Sequence, residues 1–318
     1  MSTFAVTIAS IIMRMAGRIG LGGANADFGA TPEQLESADP AVRFRQAFFE
    51  RDVIRHFYHC FPDLDEIIAG KDVLDFGCGY GGKTVEYARK AKSAVGIEPF
   101  DTPIELATDY AVDVGCNNVR FLVCTQDRIP FPDESFDVVL SHDVIEHVAD
   151  PQVSLSEIHR VLRPGGVALV AFPPYDGMLS HHLDYVCKLP GQHWLFSAQT
   201  LVAAANIEIA RQHLPLARQP EPELSWDGSR YVIPTLNGLT SEQFRCLAQR
   251  FARLEVTPLM VAQFHKGTVA VAREVLGRIL PREYMTATLA CRLTKQPAQV
   301  QAVTLQQARS YRSAAAAS

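Results

Sequence analysis

The chain has 318 residues, of which 47% are hydrophobic and 20% charged, values that exclude wholesale disorder. Its 35 acidic residues outnumber its 30 lysines and arginines, for a net charge of −5, so we expect no nucleic-acid partner. Seven cysteines are scattered along the chain without a CxxC pair, which favours a reducing, cytoplasmic compartment over a disulfide framework. No apolar run reaches the roughly 18 residues that a membrane span needs.

Residues 1–69 are predicted to form a helical cap. A first helix that docks on the body is predicted from apolar residues at helical spacing, namely Ile8, Ile11, Ile12, Met15 and Ile19. An active-site lid or a peripheral membrane contact is the alternative interpretation of that helix. A further helix start is expected at Thr31-Pro32-Glu33, followed by a helical, Phe-rich run from about Pro40 to Cys60.

The sequence pattern changes in residues 70–174, where short β-branched runs alternate with helical segments. Such alternation is typical of βαβ units and a parallel sheet. We predict strands at Asp72–Phe76, Ser93–Ile97, Val119–Cys124, Phe136–Ser141 and Gly166–Phe172. Helices are expected between them, notably Gly82–Lys90 and Pro151–Leu162.

The regular alternation lapses after Pro173-Pro174. Residues 175–236 are predicted to be an inserted lid over an acceptor site, with one helix near Ala198–Ala205. Residues 237–296 complete the core through a helix at Ser241–Arg253, a strand at Leu254–Pro258 and a last strand near Met285–Leu293. The Gln- and Ala-rich residues 297–318 are predicted to be a flexible tail.

The strongest local feature is the segment VLDFGCGYGGKT, a buried strand followed by a glycine-rich turn and a helix. Glycines let the backbone approach a ligand, and the start of the helix points free N–H groups at it. Gly77, Gly79 and Gly82 satisfy the dinucleotide pattern GxGxxG. Gly77 and Gly82 with Lys83-Thr84 also satisfy the phosphate-loop pattern GxxxxGK[ST], so the pattern alone leaves both interpretations open.

Charge favours a third interpretation. Asp75, two residues before the first glycine, would repel a polyphosphate and attract a cationic group. Glu98 follows the second strand, where an acid can accept both hydroxyls of an adenosine ribose. A nucleoside with a cationic, phosphate-free tail fits both acids, and S-adenosylmethionine is such a ligand. On this interpretation Asp75 is essential for binding and Lys83 is dispensable.

Four motifs in order, VLDFGCGYGG, VGIEP, IPFPDESFDVVLSHDVIEHVADP and IHRVLRPGGVALVAFPP, resemble the class I S-adenosylmethionine-dependent methyltransferases that act on small molecules. The resemblance covers about residues 70–174, and LNGLTSEQF and MTATLACRLTK resemble the end of the same fold. It implies a Rossmann-like α/β fold with a seven-stranded, mostly parallel sheet whose last strand is antiparallel. It also implies S-adenosyl-L-methionine as cofactor and S-adenosyl-L-homocysteine as product.

The resemblance assigns cofactor roles to particular positions. The methionine side is expected to contact Asp75, Gly77, Cys78, Gly79 and Gly81, and the backbone of His142. Glu98 is expected to hold the ribose, with Pro99 and Phe100 near the adenine. Thr125 stands where relatives carry an acid for the adenine amino group, so Gln126 or Asp127 is expected to substitute.

Methyl transfer needs alignment and, for an acceptor of high pKa, a general base. The candidate bases are His147, after the fourth strand, and His181 or His182, in the inserted lid. Asp143, Glu146 and His147 form a D-x-x-E-H cluster that is similar to an E-x-x-E-H metal motif of some relatives. We expect no metal and keep this cluster as an alternative hypothesis.

The expected reaction is O-methylation of a small, aromatic or hydrophobic acceptor. Methylation of a carboxylate or an amine on the same fold is the first alternative. A protein that holds the cofactor without turnover and a phosphate-loop nucleotide-binding protein are the others. The sequence indicates no oligomeric state.

Overall fold

A computed structural model describes residues 2–18, 34, 36–125, 127–177, 180–183, 186–187, 189–212, 225–226, 231–232, 236–260 and 282–298. The helices are α1 Thr3–Ala16, α2 Pro40–Arg43, α3 Arg45–Cys60, α4 Leu64–Ile68, α5 Gly82–Ala88, α6 Asp101–Asp113, α7 Pro151–Val161, α8 Gln192–Leu195, α9 Ala198–Gln212 and α10 Ser241–Leu247. The strands are β1 Asp72–Phe76, β2 Ser93–Glu98, β3 Val119–Val123, β4 Phe136–His142, β5 Leu162–Phe172, β6 Ser225–Trp226, β7 Tyr231–Val232, β8 Arg253–Met260 and β9 Thr286–Thr294. Within these ranges no helix combines the length and the apolar character that crossing a bilayer requires.

Seven strands form one sheet in the order β3-β2-β1-β4-β5-β9-β8. The first five are parallel to one another, and β9 lies between β5 and β8, antiparallel to both. This order confirms the predicted Rossmann-like sheet with an antiparallel last strand. Strand β1 pairs with β2 on one side and β4 on the other, so the strand order reverses there. Open α/β sheets bind ligands at such a reversal, beyond the carboxyl ends of the strands.

The predicted strands and helices of the core are confirmed, with some ends displaced. Strand β5 begins at Leu162 rather than Gly166, because Leu162 already pairs with Phe136 before the register shifts. Helix α10 stops at Leu247 rather than Arg253, and a 3₁₀ turn follows it. That turn frees the Ala252 N–H to donate to the Thr294 carbonyl at 2.9 Å, which starts the pairing of β8 with β9.

Helix α1 forms as predicted, but the predicted apolar stripe is not its main contact face. Ile11 and Met15 are 45% and 60% exposed, and Ile19 lies outside the described residues. The buried face instead carries small residues between larger ones: Val6, Ala9, Ser10, Met13 and Ala16. This face packs against α9 and the segment before it. Small side chains allow the two helices to approach closely, which the isoleucine stripe would prevent. The predicted helix start at Thr31 also lies outside the described residues.

Helix α3 lies across both the sheet and the glycine-rich turn. Its C-terminal half buries Phe57 against Tyr87 and the sheet, in a cluster that also contains Val73 and Val138. Its N-terminal half crosses the start of α5 at Gly82. A Cβ at Gly82 would lie only 1.9 Å from the Ala47 carbonyl oxygen, so this glycine is required by the contact between two backbones.

We predict that Gly82→Ala destabilises the fold by about 1–3 kcal/mol, because α3 has to move away from α5 to admit the methyl group. Urea unfolding followed by circular dichroism measures this change. Glu105→Ala, on the exposed face of α6, is the control and should change the free energy of unfolding by less than about 0.5 kcal/mol. Equal stability of Gly82→Ala and the wild type would contradict the contact.

Candidate functional site

A cavity of about 1020 Å³ lies beyond the carboxyl ends of β1, β2 and β4, and we call it the strand-end cavity. Helix α3 covers one side of it, and the glycine-rich turn with the loops after β2, β3 and β4 forms the rest. Its lining residues are Gln46, Phe49, Glu50, Val53, Phe76, Gly77, Cys78, Gly79, Tyr80, Lys83, Ile97, Glu98, Pro99, Phe100, Pro103, Cys124, Thr125, His142, Asp143, Val144, His147, Val148, Ala149, Leu236 and Asn237. A second cavity, of about 630 Å³, lies at the opposite edge beside Asp72 and Ser93. We take the first as the candidate site because parallel sheets bind ligands at their carboxyl edge.

The structure brings most of the predicted cofactor residues to this cavity. Those that line it are Gly77, Cys78, Gly79, Glu98, Pro99, Phe100, Thr125 and His142. Asp75, Gly81 and Asp127 do not line it, and Gln126 lies outside the described residues. The assignment of all these residues to the cofactor stays a prediction. The cavity gives geometric support only to those that line it.

Asp75 lies beneath the turn rather than in the cavity. It is 1% exposed, and one of its oxygens accepts a hydrogen bond from Thr84 Oγ1 at 2.6 Å. Burial raises the pKa of this carboxyl group, although Lys83 and the Thr84 bond oppose the shift. Asp75 thus braces the start of α5 against β1. Gly81 is structural as well, because its φ is +79° and a Cβ there would lie 2.7 Å from Ala107 Cβ.

The first two glycines of the turn shape the cavity directly. Gly77 has a φ of +82°, and a Cβ there would lie 2.4 Å from Val144 Cγ2. Gly79 has a φ of +54° and would meet Glu50 Oε1 at the same 2.4 Å. Both positions therefore exclude a side chain by conformation and by space.

Three carboxylates and one lysine line the cavity among its described residues, namely Glu50, Glu98, Asp143 and Lys83. Glu98, at the end of β2, accepts a hydrogen bond from the Gly79 N–H at 3.3 Å. Burial raises the pKa of its carboxyl group. A net negative lining of this kind favours a cationic ligand over a polyphosphate.

Glu50 was not predicted from the sequence. Its two carboxylate oxygens accept hydrogen bonds from the Tyr80 and Gly82 N–H groups at 2.8 and 3.0 Å, across the start of α5. Burial raises its pKa to about 7, against the opposing effects of Lys83 and these two bonds. The sequence held one signal: Gln46, Phe49, Glu50 and Val53 follow i, i+3, i+4, i+7 spacing, so the acid shares one helix face with residues that line the cavity.

Lys83 lines the cavity, although the sequence interpretation treats it as dispensable for binding. Its ammonium donates to the His142 carbonyl at 3.4 Å and lies among the carboxylates that line the cavity. The pKa of Asp143 is lowered, against the effect of burial, by neighbouring groups, His142 first and then Lys83. Burial also lowers the pKa of His142 to about 3.

Histidines gather at the end of β4. His147 lines the cavity, and its ring contacts that of His182, with the ring centroids 5.0 Å apart. Asp143 and His182 have φ values of +57° and +49°, a left-handed conformation that non-glycine residues rarely adopt. Backbone strain of this kind is typical of functional sites. Burial lowers the pKa of His182 to about 3, so it is neutral at pH 7.

His181, the third predicted base, is held in the structure by backbone groups. It is fully buried, its Nδ1 accepts from the Leu183 N–H at 3.1 Å, and its Nε2 lies 3.0 Å from the Leu189 carbonyl oxygen. Both ring nitrogens are therefore engaged. These contacts disfavour His181 as a base relative to His147 and His182, and all three assignments stay predictions.

Two groups of side chains have donor atoms close enough to hold a metal ion, in the part of the chain that the structure describes. In each group the donor atoms lie within 4.8 Å of one another. One consists of Glu146, His147 and His182, which places His182 rather than Asp143 with the predicted pair. Among the described residues neither oxygen of Glu146 has a hydrogen-bond partner, although the residue is 2% exposed and His147 Nε2 lies 3.7 Å from its Oε1. The other group joins His142 and Asp143 to His56 of α3, whose Nδ1 lies 2.9 Å from His142 Nε2.

The predicted lid contributes little to the cavity within the described residues. Leu236 is its residue in the lining, and Trp194 packs edge-on against Tyr284 at 5.2 Å between centroids. The structure gives no side-chain description for Trp226 and Tyr231. The lid and the domain boundaries at 69, 174, 236 and 296 remain predictions.

Comparison with known proteins identifies the central part of the chain. Residues 74–170 match a family model described as a methyltransferase domain. The match identifies residues 74–170 as a methyltransferase domain. The match begins within β1 and ends within β5, so it contains the glycine-rich turn, Glu98 and His147, whereas His181 and His182 lie beyond it.

Curated relatives are similar over this part only. An uncharacterized methyltransferase of Bacillus subtilis, YcgJ, is 29% identical over 119 residues, 37% of this chain and 47% of its own length. A ubiquinone biosynthesis O-methyltransferase of Rhizobium etli is 36% identical over 110 residues, 35% of this chain and 44% of its own length. The chain thus spans less than half the length of these relatives.

A solved structure gives a weaker likeness over more of the chain. The S-adenosylmethionine-dependent methyltransferase of Mesorhizobium loti aligns with 74% of this chain and 97% of its own, at 15% identity and a TM-score of 0.43.

The burial of Glu50 predicts a pH dependence of stability. Its pKa of about 7 in the folded protein lies above the usual value, so the unfolded chain ionises first as pH rises from about 4.5. The wild type should therefore lose stability relative to Glu50→Gln between pH 4.5 and 7, and no further above that range. Urea unfolding at several pH values measures the difference. Glu105→Gln is the control, and a difference independent of pH would contradict the burial of a charge at Glu50.

Proposed function

We propose that the protein transfers a methyl group from S-adenosylmethionine to a hydroxyl group of a small acceptor, leaving S-adenosylhomocysteine. The observation that carries the proposal is the strand-end cavity, which is open at the switch point of the sheet and lined by three carboxylates and one lysine. S-adenosylmethionine supplies an electrophilic methyl group on a sulfonium cation. The residues of the strand-end cavity fit S-adenosylmethionine, since their net negative charge is opposite to that of the sulfonium.

Individual residues support the binding of the cofactor. Glu98 ends β2 with its carboxylate facing the cavity, in position to accept the hydroxyls of a ribose. Phe100 is 65% exposed beside it and offers an apolar surface for a base. Gly77 and Gly79 leave room for the ligand to approach the backbone of the turn.

The histidines at the end of β4 support O-methylation. His147 lines the cavity and can accept the proton of an acceptor hydroxyl as the oxygen attacks the methyl carbon. Such a base contributes about 10²–10⁴-fold to a rate. The related Rhizobium etli protein is named as an O-methyltransferase, which agrees with this choice. Phe49, Val53 and Leu236 give the same cavity apolar lining, which suits an aromatic or hydrophobic acceptor.

The cavity disfavours the phosphate-loop alternative. A triphosphate at the turn would lie beside Glu50 and Glu98, with Lys83 as the cation of the described lining. The Tyr80 and Gly82 N–H groups, which a phosphate would use, already bind Glu50. A carboxylate or amine acceptor remains the alternative within methyl transfer.

Calorimetric titration tests the cofactor. We expect S-adenosylmethionine and S-adenosylhomocysteine to bind at micromolar concentration, and MgATP and NAD not to bind. Glu98→Ala should weaken the binding of S-adenosylhomocysteine about 10- to 100-fold, because hydrogen bonds to a charged group are lost. Glu105→Ala is the control and should bind as the wild type does. Binding of MgATP alone would refute the proposal.

Methylation assays with a panel of phenols, carboxylic acids and amines test the acceptor and the base. We expect turnover of a phenol, and His147→Ala should lower kcat about 10²–10⁴-fold with unchanged affinity for S-adenosylhomocysteine. His159→Ala is the control, since that ring packs on Phe251, away from the cavity. If EDTA abolished turnover and Mg²⁺ or Mn²⁺ restored it, a metal ion at Glu146, His147 and His182 would replace the base.

A further inference from the structure

The amino-acid end of the cofactor needs charged partners in the strand-end cavity. Methionine carries an ammonium and a carboxylate, and both must be paired when they leave water. Glu98 and Phe100 lie after β2, on the side assigned to ribose and adenine. Two oppositely charged side chains line the cavity at the turn instead: Glu50 from α3 and Lys83 from α5.

Glu50 is fixed in place before any ligand arrives. Its oxygens accept the Tyr80 and Gly82 N–H groups at 2.8 and 3.0 Å, which sets the direction of its remaining lone pairs. Gly79 leaves the space that the carboxylate fills, because a Cβ there would lie 2.4 Å from Glu50 Oε1. Within the described residues Glu50 forms no ion pair, although it is half-buried.

Lys83 is its complement on the opposite element. Its only hydrogen bond within the described residues is the long one, 3.4 Å, to the His142 carbonyl. Its charge is felt at Glu50, because Lys83 lowers the pKa of that carboxyl group against the effect of burial.

We propose that Glu50 and Lys83 bind the two charges of the cofactor's amino-acid end, Glu50 the ammonium and Lys83 the carboxylate. The inference rests on the proposed function, and it makes α3, outside residues 74–170, part of the cofactor site. It also predicts selectivity. Ligands that carry the amino-acid end gain affinity from this pair, and nucleosides that lack it bind without any contribution from the pair.

The pair couples binding to a proton. The titratable and charged groups that face Glu50 are Asp75 of β1, Cys78 of the turn, and Lys83 and Tyr87 of α5. Burial raises the pKa of Glu50 to about 7, so a fraction of the carboxyl groups is protonated at neutral pH. An ammonium beside the carboxylate lowers that pKa, and the proton is released to solvent.

The test compares S-adenosylhomocysteine with 5′-methylthioadenosine, which lacks the amino-acid end. Calorimetry at pH 6.5–7 in buffers of different ionisation enthalpy counts the protons released. For the wild type we expect proton release with S-adenosylhomocysteine and none with 5′-methylthioadenosine.

Two variants separate the binding role from a structural one. Glu50→Gln and Lys83→Met should each weaken the binding of S-adenosylhomocysteine at least tenfold and leave the affinity for 5′-methylthioadenosine unchanged. Glu50→Gln should also abolish the proton release. Glu105→Gln is the matched control, and thermal unfolding verifies that each variant is folded.

Other outcomes are distinct. The inference is overturned if the Glu50→Gln variant binds S-adenosylhomocysteine as the wild type does, or if it loses affinity for both ligands equally. If the wild type binds neither ligand, the proposed function itself fails.

Discussion

The close contact between α3 and the start of α5 is the constraint on which the rest of the site depends. The Ala47 carbonyl occupies the space that a side chain at Gly82 would fill, so the two backbones meet directly. That contact brings Glu50 within hydrogen-bonding distance of the turn and places Phe49 and Val53 in the wall of the cavity. One helix outside the matched domain therefore determines the shape of the cavity opposite the sheet.

Electrostatics explains why the cavity needs a ligand of particular charge. Glu50 and Glu98 have raised pKa values because burial disfavours their ionised forms, while Lys83 supplies a single opposing charge. Asp75 adds a further buried carboxyl group beneath the turn. A cation bound there would relieve a cost that folding imposes, so affinity and stability share one physical origin.

The sequence was sufficient for the fold and for several residues that line the strand-end cavity. Regular alternation of strands and helices, with glycines at the first turn, indicates a parallel sheet with a reversal of strand order, where such sheets bind ligands. It was insufficient for Asp75 and Lys83, whose roles depend on side-chain direction: the acid turns down to Thr84 and the lysine turns into the cavity. Glu50 depends on a contact between segments 30 residues apart, which no local pattern reports.

The same limit applies to helix α1, where the more hydrophobic stripe predicted the wrong contact face. Small residues decide that contact, and Ser10 binds Glu208 of α9 at 2.8 Å, 198 residues along the chain. Strand β9 likewise inserts between β5 and β8 and pairs Phe172 with Leu289. During synthesis on a ribosome, α1 therefore cannot pack on α9 until most of the chain has been made. Strand β5 likewise has an unpaired edge until β9 emerges. Pairings this distant in sequence slow folding and leave such an edge exposed to other chains, so this protein should depend on chaperones while it is being made.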